Sequence, residues 1–213
     1  EDGTRTRKLW LRQILVKMKT NEWAKPGDKP RCIADLGVAA SLQGFKITSF
    51  LKTAMADRPI VYKGFTIEFC AKPEPARLVH IFKKLLDPPG LGYLVYFSDD
   101  SCLSYRKEGK VRICNMDIKK CDASHGPSIF QSLINIVPDV ARNDISVLVD
   151  QCRLPITIVS RSNPKNRVKL QARVPKLYSG STITTILNNF ANVNIAISIA
   201  EHVSLGSYDI HQE

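Results

Sequence analysis

The sequence predicts an α+β fold, because strand-like and helix-like segments interleave without a linker that would separate them. Residues 64–70 alternate apolar and polar side chains, as a strand does. Residues 73–90 have the apolar spacing of an amphipathic helix, with Pro near the start and Pro-Pro-Gly at the end. Residues 181–200 predict a second, longer helix. The 213 residues suffice for one sizeable core or for two small subdomains.

The composition favours a polyanionic partner, since the formal net charge is +11. The first 31 residues hold nine Lys/Arg against four acids, and residues 161–176 hold six Lys/Arg and no acid. No apolar run approaches the ~18 residues of a membrane span, so none is predicted in this segment. The six cysteines include no CxxC pair and have no histidine at ligand spacing, which favours reduced core residues over a zinc site.

The remaining segments extend the α+β pattern. Residues 48–57 predict a helix capped by Thr48 or Ser49. Two apolar runs on either side of Ser-Asp-Asp-Ser predict a hairpin with acids at its tip, and Glu-Gly-Lys turns the chain into a third strand. The other predicted elements are a helix from Gly126, a helix over 144–152 and a basic hairpin around the turn Ser-Asn-Pro-Lys-Asn.

The most specific pattern is Ser-Gly-x3-Thr-x3-Asn, formed by Ser179, Gly180, Thr184 and Asn188. Glycine at a strand-to-helix turn adopts backbone conformations that other residues resist. Thr184 and Asn188 are four residues apart and therefore project from one helix face. That face could meet a nucleotide, and the structural alternative is a polar helix face with an ordinary cap.

Acidic residues stand at two predicted strand ends. Asp117 ends the third strand and Asp122 follows five residues later, while Asp99 and Asp100 lie at the hairpin tip. Two cations ~3.5–4 Å apart need several carboxylates, with room left for phosphate oxygens. Acids at turns are also common on solvated surfaces.

Basic residues Lys25, Lys29 and Arg31 lie upstream of both patterns. A guanidinium can bind phosphate oxygens through two hydrogen bonds, and the segment gains its meaning from lying upstream of the other motifs.

Together these motifs resemble those of viral RNA-dependent RNA polymerases. The Ser179–Asn188 pattern resembles motif B, the Asp117–Asp122 pair resembles motif A, the Asp99–Asp100 hairpin resembles motif C, and the Lys29-Pro30-Arg31 segment resembles motif F. The resemblance implies a right-hand palm, with an antiparallel sheet and packed helices, plus part of the fingers.

The resemblance also implies roles for the residues. Asp99, Asp100 and Asp117 would be catalytic and would bind Mg²⁺ or Mn²⁺. Substrate would be bound by Lys25, Lys29, Arg31, Asp122, Ser179, Gly180, Thr184 and Asn188, with Asp122 and Asn188 sensing the ribose 2′-hydroxyl. Independently, the basic hairpin residues Arg161, Lys165, Arg167 and Lys169 are candidates for contacts with RNA backbone.

The motif order is C, A, B, since Asp99 precedes Asp117 by 18 residues and Ser179 follows Asp117 by 62. This order resembles that of the permuted polymerases of birnaviruses and permutotetraviruses. The alternative is that an ordinary motif C follows beyond the sequence and that Asp99-Asp100 is only a turn.

The expected organisation is a fragment with four parts. Residues 1–92 would be a fingers segment with motif F, 93–140 a palm segment with motifs C and A, 141–175 a fingers insertion, and 176–213 the palm segment with motif B. The expected partners are template and product RNA, ribonucleoside triphosphates, and the remaining palm and thumb of a full-length polymerase. Replication would take place in the cytoplasm of an infected host cell.

Two other functions fit parts of the sequence. A reverse transcriptase also uses an aromatic-x-Asp-Asp hairpin, which Phe97 to Asp100 matches, although the Asp122 and Asn188 pair favours ribonucleotides. A basic RNA-binding module without catalysis would explain the charge, but it would leave the placement of the aspartates to coincidence.

Overall fold

The computed structural model describes residues 13–19, 31–71, 73–97 and 100–204, and within them the fold is α+β, as predicted. None of the helices in these ranges combines the length and apolar content that a membrane crossing requires. The elements, in chain order, are β1 (Ile14–Met18), β2 (Cys32–Asp35), α1 (Gly37–Asp57), β3 (Ile60–Tyr62), β4 (Phe65–Phe69), α2 (Pro75–Leu86), β5 (Gly92–Phe97), β6 (Asp100–Lys107), β7 (Lys110–Asp117), α3 (Cys121–Ser124), α4 (Pro127–Ile136), α5 (Asp139–Gln151), β8 (Ile156–Val159), β9 (Arg167–Leu170) and α6 (Thr184–Ser204).

The chain divides into two compact units. The first unit contains the described residues up to Phe50 together with Asp122–Leu187, and the second contains Leu51–Cys121 together with the described residues from Asn188 onward. The division into fingers and palm segments after residues 92, 140 and 175 stays a prediction.

The first unit is built on a four-stranded sheet in the order β2-β1-β8-β9. β1 pairs parallel with β8, and the other neighbours are antiparallel. Ile14, Ala34, Leu36 and Ala40 form its buried cluster, against which Ile156 packs. The face of β1, β2 and β8 that carries these residues is therefore apolar, as strand alternation requires.

The second unit is built on a five-stranded sheet in the order β3-β4-β5-β6-β7. One face carries Leu94 and Leu103, which pack with Ala196 and Ala200 of α6. The other face carries Tyr93, Val95 and Cys102, which pack with Ile81 and Leu85 of α2. Because both faces are covered, β5 and most of β6 are buried throughout instead of alternating with exposed residues.

The predicted hairpin strands and third strand are confirmed as the neighbouring antiparallel strands β5, β6 and β7, which form a meander. A two-residue loop, Glu108-Gly109, joins β6 to β7, and both residues have positive φ, 52° and 74°. Positive φ at both loop positions matches the twist of the flanking strands. This loop sets the register of eight residue pairs between β6 and β7.

Two structural expectations need correction. Residues 48–57 are not a separate helix, because α1 begins at Gly37. Thr48 is a buried mid-helix residue, and its hydroxyl donates to the carbonyl oxygens of Gly44 at 2.9 Å and Phe45 at 3.2 Å, so it is not a cap. The sheets are also mixed and not wholly antiparallel. β4 and β5 pair parallel because α2 connects them, and parallel neighbours need such a crossover.

The cysteines are free, as expected, but only three of the six are buried. Cys70, Cys102 and Cys152 lie in the interior, whereas Cys32 is exposed. The core assignment is therefore right for half of them and wrong for Cys32, which lies at the start of a strand.

A buried carboxylate links α2 to the second sheet. Glu68 of β4 accepts hydrogen bonds from Lys84 at 2.9 Å, Arg77 at 3.2 Å and the Tyr93 hydroxyl at 2.8 Å. Burial alone would raise the pKa of Glu68, and this is the largest single effect. The bonds from Lys84, Tyr93 and Arg77 together outweigh it and hold the pKa below its usual value.

We predict that Glu68→Gln lowers the free energy of unfolding by about 1–3 kcal/mol at neutral pH, since it leaves two cations without their carboxylate. The ionised carboxylate contributes its full stability above its usual pKa of 4.5, and that contribution is lost as the pH falls through the lower pKa of the folded protein. Urea unfolding across pH 2–7 measures both effects.

The control is Glu74→Gln, which removes the same charge at an exposed position where the side chain makes no capping hydrogen bond. The difference between wild type and Glu68→Gln should shrink below pH 4.5. A difference that stays constant down to pH 2 would contradict the assigned charge state.

Candidate functional site

The second unit brings two of the predicted metal-binding carboxylates together. Asp100, the first residue of β6, pairs directly with Asp117, the last residue of β7. Directly opposite residues of an antiparallel pair project from the same face, with Cβ atoms about 4.5–5.5 Å apart. Both aspartates are exposed. Phe97 completes this row as the partner of Asp100 on β5.

The electrostatics of this pair favour a cation. Two carboxylates directly opposite each other on neighbouring strands repel, and a cation between them would offset that repulsion. Within the described ranges, no group of three or more His, Cys, Asp or Glu side chains could hold a metal ion. Asp99, the predicted third carboxylate, lies outside those ranges.

The predicted phosphate-binding residues are described only in part. Lys25 and Lys29 lie outside the described residues. Arg31 is exposed, and its carbonyl oxygen accepts the backbone N–H of Lys19 at 2.9 Å. It immediately precedes β2.

The Ser179-Gly180 turn packs against β2 in the first unit. The N–H of Ala34 donates to the carbonyl oxygen of Ser179 at 2.8 Å. Gly180 has φ of +95°, and a Cβ at this position would lie 2.4 Å from the carbonyl oxygen of Ala34. Glycine is therefore required by both the backbone conformation and the available space. This contact puts the turn beside the strand that Arg31 precedes.

Thr184 is the first residue of α6, and its hydroxyl donates to the carbonyl oxygen of Tyr178 at 3.1 Å. Its backbone N–H donates to the carbonyl oxygen of Ser181 at 3.2 Å. The side chain thus holds the turn that leads into the helix. Its role as a nucleotide contact stays a prediction.

The predicted sugar-sensing pair is divided between the two units. Asp122 belongs to α3 of the first unit and is partly buried, while Asn188 belongs to α6 of the second unit and is 8% exposed. Their joint role stays a prediction.

The predicted basic hairpin is formed by β8 and β9. Every residue from 161 to 170 is exposed, including Arg161, Lys165, Arg167 and Lys169. Arg167 pairs with Val159 and Lys169 with Thr157, so these two cations project from the same face of the sheet.

Two residues that the sequence analysis did not predict as functional, Gln151 and Cys152, also hold the Ser179-Gly180 turn. Gln151, at the end of α5, accepts a hydrogen bond from the Thr182 hydroxyl at 2.8 Å, and the sulfur of Cys152 lies 3.6 Å from the Ser181 hydroxyl oxygen. No local pattern predicts contacts across about thirty residues. The amide at the end of a predicted helix was the only available signal.

No protein-family model matches the chain, and a search of the curated proteins finds no match.

We predict that Gly180→Ala destabilises the first unit by about 2 kcal/mol or more, because the methyl group adds a clash with a backbone oxygen to the strain of a positive φ. Urea unfolding measures the loss.

Gly37→Ala is the matched control in the same unit. Gly37 has φ of +72° but no atom within 4 Å of its added Cβ, so it reports the conformational strain alone. Equal losses in the two variants would argue against the close approach of Gly180 to β2.

Proposed function

We propose that this chain is a fingers-and-palm portion of a viral RNA-dependent RNA polymerase with the permuted motif order C, A, B. It would join ribonucleoside triphosphates on an RNA template by two-metal nucleotidyl transfer, during genome replication and transcription. The rest of the palm and the thumb would be supplied by other parts of the same polymerase.

The observation that carries the proposal is the register of Asp100 with Asp117. The permuted order requires the motif C hairpin to be a direct sheet neighbour of the motif A strand. β6 and β7 are such neighbours, with the two aspartates in one row on one face. A solvated turn imposes no such register between acids that are 17 residues apart in sequence.

The donor chemistry of this row fits a hard divalent cation. Mg²⁺ prefers oxygen ligands and is usually held by one or two protein carboxylates, with water and substrate phosphates completing the shell. Asp100 and Asp117 supply two exposed carboxylates, and Asp99 is the remaining candidate. When bound, Mg²⁺ or Mn²⁺ would neutralise charge on the transferring phosphates.

The chain's own residues would position substrate. The RNA 3′-hydroxyl is the attacking nucleophile, so no protein nucleophile is needed, and catalysis depends on alignment. Arg31, with Lys25 and Lys29, would bind the triphosphate. Ser179 and Gly180 would contact the nucleotide site from their turn.

Ribose selection separates this proposal from a reverse transcriptase. Asn188 and Asp122 carry groups that can hydrogen-bond a 2′-hydroxyl, which only a ribonucleotide offers. A measured preference for ribonucleotides over deoxynucleotides would therefore support the RNA polymerase over a reverse transcriptase.

The second candidate is an RNA-binding module without catalysis, and the exposed β8-β9 hairpin favours it. Four exposed cations without an intervening acid suit the sugar-phosphate backbone of RNA. The two candidates differ in what they require of Asp100 and Asp117, since only the polymerase uses them.

We predict that Mn²⁺ binds wild-type protein and that Asp117→Asn weakens this binding about tenfold or more, because half of the described carboxylate pair is lost. Without metal, the same variant should be more stable by about 0.2–1 kcal/mol, since a like-charge cross-strand pair is removed. Electron paramagnetic resonance of free Mn²⁺ measures binding, and thermal unfolding with and without Mn²⁺ measures stability.

Asp139→Asn is the control, since its side chain is 88% exposed and lies on α5 of the other unit. Mn²⁺ affinity that is equal in wild type and both variants would remove Asp117 from the metal site and leave the RNA-binding module as the better proposal.

We predict that replacing Lys165, Arg167 and Lys169 together by Gln weakens binding of single-stranded RNA and flattens its salt dependence. The slope of log K against log salt should fall by roughly 0.7 for each lost phosphate contact, which is about 2 for three contacts. Fluorescence anisotropy across a range of salt concentrations measures the slope.

A matched variant removes the same charge from exposed helix positions, by changing Lys46, Lys52 and Lys83 to Gln. If both triple variants reduce the slope equally, RNA binding depends on the net charge of the protein and not on the position of the cations in the hairpin.

A further inference from the structure

The end of α5 carries a fully buried polar side chain. Gln151 is 0% exposed, so neither its amide oxygen nor its amide nitrogen can be satisfied by bulk water. Its Oε1 accepts the hydroxyl hydrogen of Thr182 at 2.8 Å, and its Nε2 donates to Oε1 of Gln43 at 3.3 Å. The amide therefore connects α1 to the turn before α6 through two bonds in series.

The residue after Gln151 contacts the same turn. Cys152 is 1% exposed, and its sulfur lies 3.6 Å from the Ser181 hydroxyl oxygen. Burial raises the pKa of the Cys152 thiol to about 11, so the thiol remains protonated at neutral pH. Its carbonyl oxygen also accepts the N–H of Lys176 at 3.0 Å. The last residue of α5 and the residue after it thus hold two consecutive residues of the turn.

β2 holds the turn from its other end, through the bond from Ala34 N–H to the Ser179 carbonyl oxygen. Gly180 lies between these two attachments and is exposed, and Ser179 beside it is half-buried. The polar contacts from α5 therefore stop one residue short of the part of the turn that a ligand can reach. This arrangement fixes the geometry of Gly180 without covering it.

We propose that Gln151 is a positioning residue for the Ser179-Gly180 turn, acting through the Thr182 hydroxyl and oriented by Gln43. Its consequence for nucleotide binding rests on the proposed polymerase function. The mechanical part, that this amide holds the turn, depends only on the contacts described. Gln151 itself is too deeply buried to contact substrate.

The side-chain chemistry explains why an amide is suited to this position. The hydroxyl of Thr182 donates to the amide oxygen of Gln151, and the amide nitrogen of Gln151 donates to the side-chain oxygen of Gln43. A glutamine supplies both from one planar group without burying a charge. Methionine has a similar length and fills the space, but it offers neither bond at comparable strength.

The test uses Gln151→Met, Thr182→Val and the double variant, with Thr182→Ser as the conservative control that keeps the hydroxyl. Native-state hydrogen exchange is followed at the amides of Ser181 and Thr184, whose N–H groups close the turn. Each disruptive single variant should accelerate exchange there about tenfold, which is the effect of one buried hydrogen bond. In the double variant, exchange at these amides should be no faster than in either single variant. In Thr182→Ser, the exchange rates should equal those of wild type.

Uniform acceleration throughout the first unit would show that Gln151 is only structural and would overturn the proposal, as would additive effects in the double variant. The amide of Ser160, which bonds to the Asn166 carbonyl in the β8-β9 turn, reports on the same unit away from α5.

The nucleotide consequence is measured separately, as binding of a ribonucleoside triphosphate in the presence of Mn²⁺. Gln151→Met and Thr182→Val should weaken nucleotide binding several-fold while leaving Mn²⁺ binding unchanged, and Thr182→Ser should restore it. Unchanged nucleotide affinity in both disruptive variants would overturn the positioning role. If wild-type protein binds no triphosphate, the proposed polymerase function fails, and the exchange experiment alone decides whether Gln151 holds the turn.

Discussion

The register of β6 with β7 is the constraint on which the candidate metal site depends. Glu108 and Gly109 fix it at one end of the ladder by taking positive φ in a two-residue loop, and Asp100 meets Asp117 seven pairs away. Side chains alternate along each strand, so a slip of one residue would move every side chain of β7 to the other face. It would remove Asp117 from the face of Asp100 and bring exposed side chains such as Asn115 onto the face where α6 packs.

In the first unit, the Ser179-Gly180 turn is exposed at Gly180 and is fixed in conformation by its contacts with the neighbouring elements. The turn is attached by backbone hydrogen bonding to β2, by side-chain bonding to α5 and by the start of α6. Glycine is necessary at residue 180 because the carbonyl oxygen of Ala34 occupies the space of a side chain. An exposed backbone held in this way loses little entropy when a ligand binds, since its conformation is already fixed.

Sequence patterns predicted the meander well, because β5 is apolar and the loop between β6 and β7 is marked by Glu and Gly. They failed for the first half of α1, where Gly37 and Gly44 weaken helix propensity and Thr48 resembles a cap. They could not reveal the bonds of Gln151, whose partners are 31 and 108 residues away in sequence. For the site, they proposed that Asp99, Asp100 and Asp117 act together, but the direct cross-strand pairing of Asp100 with Asp117 follows from the loop geometry. The joint role of Asp122 and Asn188 stays a prediction, since the two residues belong to different units.

The chain connectivity also has a consequence for biosynthesis. The β5-β6-β7 meander pairs residues close in sequence, so it can form as soon as residues 92–117 have left the ribosome. The first sheet cannot close so early, since Ile14 pairs with Ile156 and more than 140 residues must be made between them. During that interval β1 and β2 lack their neighbour β8 and present an unpaired sheet edge, which is prone to wrong association. α6 emerges later still, and only then is the apolar face of the second sheet covered by Ala196 and Ala200.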